Sequence, residues 1–472
     1  MQEQRLGAVL GLTSAAYFMA VLDALVVVTA LPSIARELHA GLQTLQWTVN
    51  AYGIAIAAGI ISAAALGDRY GRRRVFVAGL VLFTLASAAC GLARGSALLI
   101  VARSLQGLGG AAAITLSLTI LTHAFPAERR GTVVGIYGGL AGLATALGPL
   151  IGGAVTEGLD WHWIFWLNVP IGALVAILSA RLLPESHGPR QRIDAPGVGL
   201  VSAGATSLVW GLVRSGSIGF GNFEVLGTLI GGAVLLGAFV LWESVSATPM
   251  IPLRLFRRPS FAYGSATQFL MSGSIFAAAF LIIQYVQLAR GYSPVMTGVR
   301  LLPWLVTPML VSPLAGALGD RIGPRPLIAG GLSLQAAGFA WIALRAGSGL
   351  GYAQLAVSLL LAGIGISMAL PSAPTAVLSA VDRAEIGKAS GVAMTMQRFG
   401  AVFATAIATA VFAGAGGLGS PVMVIAGLRP ALAVCAGISL LGALVSLGIV
   451  PGAATAPTQA SQRLTEDAAE LA

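Results

Sequence analysis

Long, continuous apolar stretches follow one another along nearly the whole chain. A helix needs about 20 apolar residues to cross the hydrocarbon core of a bilayer. Fourteen stretches meet that requirement, at residues 8–31, 46–66, 75–93, 97–121, 132–156, 163–183, 196–214, 225–245, 262–289, 295–318, 327–345, 350–376, 389–413 and 427–450. The sequence therefore predicts an all-α integral membrane protein with 14 transmembrane helices.

The shortage of charge excludes other classes of protein. Charged residues make up only 9% of the chain, whereas hydrophobic residues make up 57%. A soluble domain carries about 25% charged residues, and a disordered chain is poor in apolar residues. The net charge of +10 would indicate nucleic-acid binding in a soluble protein. In a membrane protein it first requires an explanation by topology, so we expect no nucleic-acid partner.

The arginines and lysines alternate between the two ends of the predicted spans. With the N-terminus inside, 18 of the 27 basic residues lie on the cytoplasmic side and 6 on the opposite side. This excess is the one that sets membrane topology. The sequence therefore predicts that both termini are cytoplasmic. A single lysine among so many arginines, with abundant alanine and glycine, favours a GC-rich bacterial genome. We therefore expect a multi-pass protein of the bacterial inner (cell) membrane.

A ten-residue segment occurs twice and indicates an internal repeat. Residues 64–73 and 316–325 are identical at seven of ten positions. The copies are eight predicted spans apart, so two extra spans must separate two six-helix halves. Paired halves are a recurrent design in transporters. We predict an N-terminal bundle at 1–183, a linker with two extra central helices at 184–260, a C-terminal bundle at 261–450 and a cytoplasmic tail at 451–472.

Two charged residues inside predicted spans are candidates for a functional site. Asp23 lies near the middle of the first span and is the only acidic residue well inside one. A charge at that depth costs roughly 2.5–3.5 kcal/mol, so it is expected to face a partner or a polar cavity. Arg103 lies in the fourth span. It is close enough to the span end to reach the interface, but we favour an interior position beside Asp23.

The repeated segment has the features of a gate. Positive-inside charge and the helix dipole explain its arginines, but not its aspartate or the recurrence. The aspartate is expected to cap a neighbouring helix, and the glycine to permit a tight turn. The predicted gating residues are Asp68, Arg69, Gly71, Arg72, Arg73, Asp320 and Arg321.

The fifth span combines glycines with a proline, which suits a kinked helix in close contact with another helix. Those residues are Gly148, Pro149, Gly152 and Gly153. Generic packing of small residues is the alternative. Polar and aromatic residues in other spans are candidates for substrate contacts, although each is more often a packing residue. They are Trp47, Asn50, Gln268, Phe276 and Trp304.

Together these motifs resemble the major facilitator superfamily, in particular its fourteen-span drug:proton antiporter branch. The likeness covers nearly the whole chain and includes residues 64–73, the run from Leu22 to Pro32, the segment after Arg103 and the glycine-proline motif of span 5. Ala64, Leu25, Val28 and Met394 depart from the usual pattern.

The resemblance implies alternating access and exchange of protons for a substrate. It assigns proton coupling to Asp23, assistance to Arg103 and gating to the repeated loop. We expect export of lipophilic, often cationic drugs or toxic compounds. The alternative is a dedicated exporter of one antibiotic or metabolite, and a receptor or channel fits the repeat less well.

The remaining expectations concern partners and chemistry. The partners are a small-molecule substrate, protons and the lipid bilayer, and we expect a monomer. No cofactor other than the coupling proton is expected. Cys90 and Cys435 lie in apolar runs and the histidines are scattered, so no metal site is predicted. Because neither a nucleophile–base pair nor a phosphate-binding loop is evident, we do not expect an enzyme.

Overall fold

The computed structural model describes residues 2–125, 127–188, 194–246, 249, 251–347, 350–381 and 386–450, apart from some side chains, most of them on the fifth helix. Every regular element in these ranges is helical. The predicted tail at 451–472 lies outside the described residues.

Seven helices form the N-terminal part. They are α1 (Gln2–Glu37), α2 (Leu42–Tyr70), α3 (Arg72–Gly91), α4 (Ser96–Ala124), α5 (Ala127–Gly158), α6 (Trp163–Trp166) and α7 (Asn168–Leu182). The short α6 and the longer α7 together correspond to one predicted span, with a break at Leu167. These helices bury an apolar cluster that includes Met19, Tyr52, Phe83 and Ile114.

Two helices lie between the halves of the chain, α8 (Ala195–Ile218) and α9 (Phe223–Val245). They form a hairpin in which Arg214 of α8 is ion-paired with Glu224 of α9 at 3.0 Å. The α8 side of the hairpin contacts α2 and the fifteenth helix, and Trp210 meets Trp47 at a ring separation of 5.7 Å. The hairpin therefore covers a seam between the two halves.

Seven further helices and two short turns form the C-terminal part. A 3-10 turn (Leu253–Arg257) precedes α10 (Pro259–Gln284), which ends in a π turn (Tyr285–Ala289). The others are α11 (Pro294–Leu305), α12 (Thr307–Ile322), α13 (Pro324–Arg345), α14 (Tyr352–Leu378), α15 (Ile386–Ala415) and α16 (Pro421–Ser446). Helices α11 and α12 share one predicted span, interrupted at Val306.

Twelve helical segments are long and apolar enough to cross a membrane, or thirteen if the bent α2 is counted as one span. The fifth predicted span falls on α5, which the count does not include. The protein is thus an all-helical membrane protein with twelve or thirteen candidate spans among the described residues, and the figure of 14 stays a prediction. The boundaries of the four predicted domains likewise stay predictions.

The largest apolar cluster joins the two halves. It contains Leu31 of α1, Phe280 of α10 and Phe339 of α13, none more than 2% exposed. Close helix contacts through small residues complement this cluster, since bundles in lipid gain stability from van der Waals packing. The halves are held against each other chiefly by α5 with α11 and by α2 with α15.

Candidate functional site

Asp23 lies in the interior of the N-terminal helices and is only 3% exposed. Its Oδ2 accepts a hydrogen bond from Arg103 of α4 at 2.5 Å. Its Oδ1 accepts bonds from the side-chain amides of Gln106 and Asn168, each at 2.9 Å. The carboxylate therefore has three donors from two other helices, which is the satisfaction that a buried charge requires.

Arg103 is as deeply buried as its partner, at 1% exposure. Its Nε donates to the backbone carbonyl of Thr48 at 3.2 Å, and its guanidinium lies 4.0 Å from the ring centre of Tyr52. A cation over the face of an aromatic ring is attracted to it, so the ring of Tyr52 stabilises the charged guanidinium. The alternative that Arg103 extends to the membrane interface is wrong, because the side chain is directed to Asp23.

A serine connects the two amides beneath the carboxylate. Gln106 and Asn168 also approach Ser87 Oγ, at 3.1 and 3.2 Å, and Ser87 donates to the carbonyl of Phe165 at 3.0 Å. The network thus joins α1, α2, α3, α4 and α7 around one carboxylate. Sequence reasoning identified the ion pair but not these partners. The available signal was two amides inside apolar runs, one of them three residues after Arg103.

Each copy of the repeated loop turns on a glycine with positive φ. Gly71 has φ of +108° and Gly323 has φ of +81°. In both copies the glycine N–H bonds back to the carbonyl of the glycine four residues earlier, at 3.0 and 2.9 Å. Residues with a side chain rarely adopt this backbone region. The sequence repeat is therefore also a repeat of local structure.

In the first copy, Asp68 in the last turn of α2 forms an ion pair at 2.8 Å with Arg72, the first residue of α3. The N-terminus of α3 is capped by Glu185, which accepts the backbone N–H of Arg73 at 3.0 Å. The expectation that Asp68 caps a neighbouring helix stays a prediction. The segment after α7 makes a second contact with the start of α3, since the backbone N–H of Arg72 donates to the carbonyl of Ser186 at 2.9 Å.

Sequence reasoning missed Glu185, whose signal was a single acid in an otherwise basic stretch. In the second copy the side chain of Asp320 lies outside the described residues, and Arg321 is exposed, as Arg69 is. The assignment of these residues to gating therefore stays a prediction.

The glycine-proline motif of α5 lies where two helices approach closely. A Cβ on Gly148 or Gly152 would fall 2.6 Å from Leu25 Cβ or 2.9 Å from the carbonyl oxygen of Val26, both on α1. A Cβ on Gly153 would fall 2.5 Å from the carbonyl oxygen of Pro294 on α11. The motif therefore joins the Asp23 helix on one side to the C-terminal half on the other.

The predicted substrate-contact residues do not converge on one place. Trp47 meets Trp210 of the hairpin, and Trp304 is edge-on to Phe339 at 5.8 Å, so both indoles fill packing interfaces. Asn50 is 1% exposed and neither of its polar side-chain atoms has a hydrogen-bond partner among the described residues. Gln268 is buried with its Nε2 unpartnered in the same sense, and Phe276 is half-buried. Their substrate role stays a prediction.

A polar group of side chains joins the loop before α6 to the end of α1. His162 Nδ1 lies 2.8 Å from Asp160 Oδ1, and Trp161 donates to Glu37 at 2.7 Å. Burial raises the pKa of Asp160, but the hydrogen bonds from His162 outweigh it, so the pKa falls below its usual value. Possible ligand atoms of Glu37, Asp160 and His162 lie within 4.8 Å of one another. The expectation of no metal site stays a prediction.

The fold and the buried ion pair are those of an all-helical membrane protein. Comparison with known proteins gives the family. The sequence pattern of the family described as Major Facilitator Superfamily matches this chain over residues 13–405 and 265–468. The chain belongs to the major facilitator superfamily.

Curated relatives are named for drug resistance or for export. The chain is 37% identical over 403 residues to "Multidrug resistance protein Stp" of Mycobacterium tuberculosis, covering 85% of this chain and 75% of that one. It is 33% identical over 392 residues to "Tetracenomycin C resistance and export protein" of Streptomyces glaucescens, covering 82% and 72%. The chain is thus a multi-pass membrane transporter of small molecules, consistent with a bacterial inner membrane.

Solved structures show the same fold. A POT family transporter in complex with 5-aminolevulinic acid superimposes with a TM-score of 0.68 over 94% of this chain and 95% of that one. The sequences are only 15% identical, so this likeness concerns architecture alone.

Proposed function

We propose that the protein is a proton-coupled antiporter that exports lipophilic organic compounds, including drugs, by alternating access. The observation that carries this proposal is the Asp23–Arg103 ion pair, buried in the N-terminal helices and held by amide donors. An ionisable pair at membrane depth is by default a functional one. The expectation that the compounds are often cationic comes from the resemblance alone.

Protonation of Asp23 provides the coupling. The ionised carboxylate attracts Arg103 strongly in a site of low dielectric, whereas the neutral acid does not. A proton arriving at Asp23 therefore releases Arg103 and loosens the junction of α1 with α4. Each proton that moves inward yields about 2.3 kcal/mol per 100 mV of membrane potential.

The close contact of α5 with α11 supplies a seam that opens and closes. Gly153 and Gly298 lie against backbone of the facing helix, and Val295 N–H donates to Glu157 at 3.1 Å. With the N-terminus cytoplasmic, this contact lies in the outer half of the bilayer. We propose that the structure has its outer side closed and that proton uptake at Asp23 favours the reverse state.

The finer architecture belongs to the same proposal. Helix α5 is 32 residues long and lies where the fifth span is predicted, so it supplies the fourteenth crossing. An even number of spans places both termini on the same side of the membrane, and the excess of arginine and lysine on that side makes it the cytoplasm. We propose a monomer, with the coupling proton in place of any cofactor.

A dedicated exporter of one antibiotic or metabolite is the second candidate. The names of relatives favour it, since they include a tetracenomycin C export protein and "Cephamycin export protein CmcT". Transport of a panel of unrelated compounds distinguishes the candidates. Export of several chemical classes supports the broad exporter, whereas export of a single class supports the dedicated one.

The proposal is tested in inverted membrane vesicles with an imposed, acid-inside proton gradient. Addition of a transported compound is expected to dissipate the gradient, as reported by a pH-sensitive fluorophore, and to accumulate the compound. Vesicles without the protein serve as the control. Transport of compounds that ignores the gradient would contradict the antiporter proposal.

A further inference from the structure

One face of α15 is directed at the N-terminal half. Met394 joins the apolar cluster of the N-terminal helices, and Val402 lies 2.6 Å from the position of a Cβ on Gly53 of α2. Ala406 continues the same face and shares a cluster with Ile54 of α2. Residues four apart lie on one face of a helix. Arg398 lies midway between Met394 and Val402, so it faces the N-terminal helices as well.

Arg398 is an unusual residue for that face. It is half-buried, and no ion pair with an acid is found for it in the described part of the chain. A charge on a face otherwise occupied by methionine, valine and alanine is costly in a membrane and marks a functional position by default. The partly exposed side chain therefore lies at the interface between the two halves.

The groups across from Arg398 are aromatic. Tyr17 and Tyr52 of the N-terminal helices belong to the same apolar cluster as Met394, which lies one turn before Arg398. Tyr17 stacks on Tyr137 at a ring separation of 4.2 Å. The interface at this level therefore has aromatic rings on the N-terminal side and a guanidinium on the C-terminal side.

Acidic groups facing this place are already engaged. Asp23 is bound by Arg103, which lies over the ring of Tyr52. Two hydroxyls close in sequence to these residues lack hydrogen-bond partners among the described residues: Ser14, one turn before Tyr17, and Thr395, one turn before Arg398. Both are at least nine-tenths buried. Buried hydroxyls of this kind require a hydrogen-bond partner.

We propose that Arg398 binds the acidic group of the transported compound, so that the substrates are aromatic organic anions. A guanidinium presents paired donors that match a carboxylate in a bidentate fashion, and an aromatic wall suits a flat conjugated body. The proposal rests on the proposed export function and deepens it. It replaces the expectation of cationic substrates, which Arg398 would repel.

The test is a pair of probes that differ in charge and by one methyl group, a coumarin carboxylate and its methyl ester. Binding to the purified full-length protein in detergent is measured by fluorescence anisotropy. The wild type is expected to bind the carboxylate more tightly than the ester. Arg398→Gln is expected to weaken carboxylate binding at least about tenfold, since hydrogen bonds to charged groups contribute on that scale, and to leave ester binding unchanged.

Two further variants control the comparison. Arg398→Lys keeps the charge and is expected to restore most of the carboxylate preference. Arg300→Gln removes another half-buried arginine, which is held between Tyr292 and Tyr352 of the C-terminal half, and is expected to leave the preference unchanged. Equal binding of the two probes by the wild type would overturn the proposal. The proposal would also be overturned if Arg398→Gln weakened the binding of both probes equally and Arg398→Lys weakened them to the same extent.

Vesicle transport of the same probes separates this proposal from the proposed function. Gradient-driven export of both probes without charge preference would remove the anion site and leave proton-coupled export intact. If transport of both probes did not depend on the gradient but the protein in detergent still preferred the carboxylate, the proposal of proton coupling would fall and the proposal of an anion site would stand.

Discussion

Asp23 shows how a single carboxylate is accommodated at membrane depth. A charge there costs roughly 2.5–3.5 kcal/mol, and a charge-assisted hydrogen bond contributes about 1.5–3 kcal/mol. Three such donors reach Asp23, from Arg103, Gln106 and Asn168. The ionised form is therefore tolerated, and loss of its charge changes every one of these contacts. That is the property a coupling residue needs.

The sequence predicted part of this site. Asp23 stands out as the one acid well inside a predicted span, and Arg103 as one of three arginines inside such spans, with Arg300 and Arg398. Both Asp23 and Arg103 were therefore identifiable from hydropathy. Gln106 and Asn168 were not assigned as ligands because an amide in a span is individually ambiguous. Their meeting depends on how α4 and α7 rotate against α1, which one sequence does not specify.

The two glycines of the repeat give a matched comparison. A Cβ is strained at positive φ in both, at a cost of about 1–2 kcal/mol. At Gly323 it would meet nothing within 4 Å, but at Gly71 it would lie 2.8 Å from the Glu185 carboxyl group. We expect Gly71→Ala to lower the thermal unfolding midpoint more than Gly323→Ala, because it also displaces the cap on α3. The measurement is a melting curve of the purified protein.

Removal of the cap supplies the control. In a Glu185→Ala background the two glycine substitutions are expected to cost the same. If Gly71→Ala remained the more damaging there, the extra cost would not come from Glu185.

At the level of elements, hydropathy predicts the positions of the helices well but does not predict the breaks within them. The predicted span 225–245 matches α9 (Phe223–Val245) within two residues. The span 295–318, by contrast, is divided into α11 and α12 at Val306, and 163–183 into α6 and α7 at Leu167. Apolar residues continue through each break, so hydropathy does not register a change in helix direction.

Helix α5 makes a prediction of its own. Gly153→Ala would place a methyl group against the backbone of Pro294 and Val295, which cannot move aside as a side chain can. The α5–α11 seam is expected to separate, and the export rate to fall about tenfold, since overpacking costs about 1–3 kcal/mol and about 1.4 kcal/mol is a factor of ten in rate. The measurement is the initial export rate in vesicles, normalised to the amount of protein.

Gly158 on the same helix provides the control, because a Cβ there would meet nothing within 4 Å. Gly158→Ala is expected to transport like the wild type. Normal transport by Gly153→Ala would show that the close contact is not part of the cycle.

At the scale of the whole molecule, the α8–α9 hairpin contacts both of the halves that the sequence repeat indicates. The spacing of the repeat required two extra spans, which the two helices supply. What the sequence did not indicate is their position against α2 and α15, with Trp210 beside Trp47. Lateral placement of a hairpin depends on surface shape, and neither helix carries a motif for it.

Topology is testable with single cysteines, because Cys90 and Cys435 are both 0% exposed and are expected to stay unlabelled. Gly221 lies in the α8–α9 turn with open space around it, and Ser244 is exposed at the other end of α9. A membrane-impermeant maleimide is expected to label Gly221→Cys in intact cells and Ser244→Cys only in inverted vesicles. The opposite pattern would place the termini outside.

The most direct test of the central claim is Asp23→Asn, assayed in two ways in the same vesicles. If Asp23 couples the proton, the variant is expected to keep exchange of labelled for unlabelled substrate but to lose accumulation driven by a proton gradient. Glu224→Gln, a carboxylate of the peripheral hairpin, is expected to keep both activities. Gradient-driven accumulation by Asp23→Asn at the wild-type level would contradict the account.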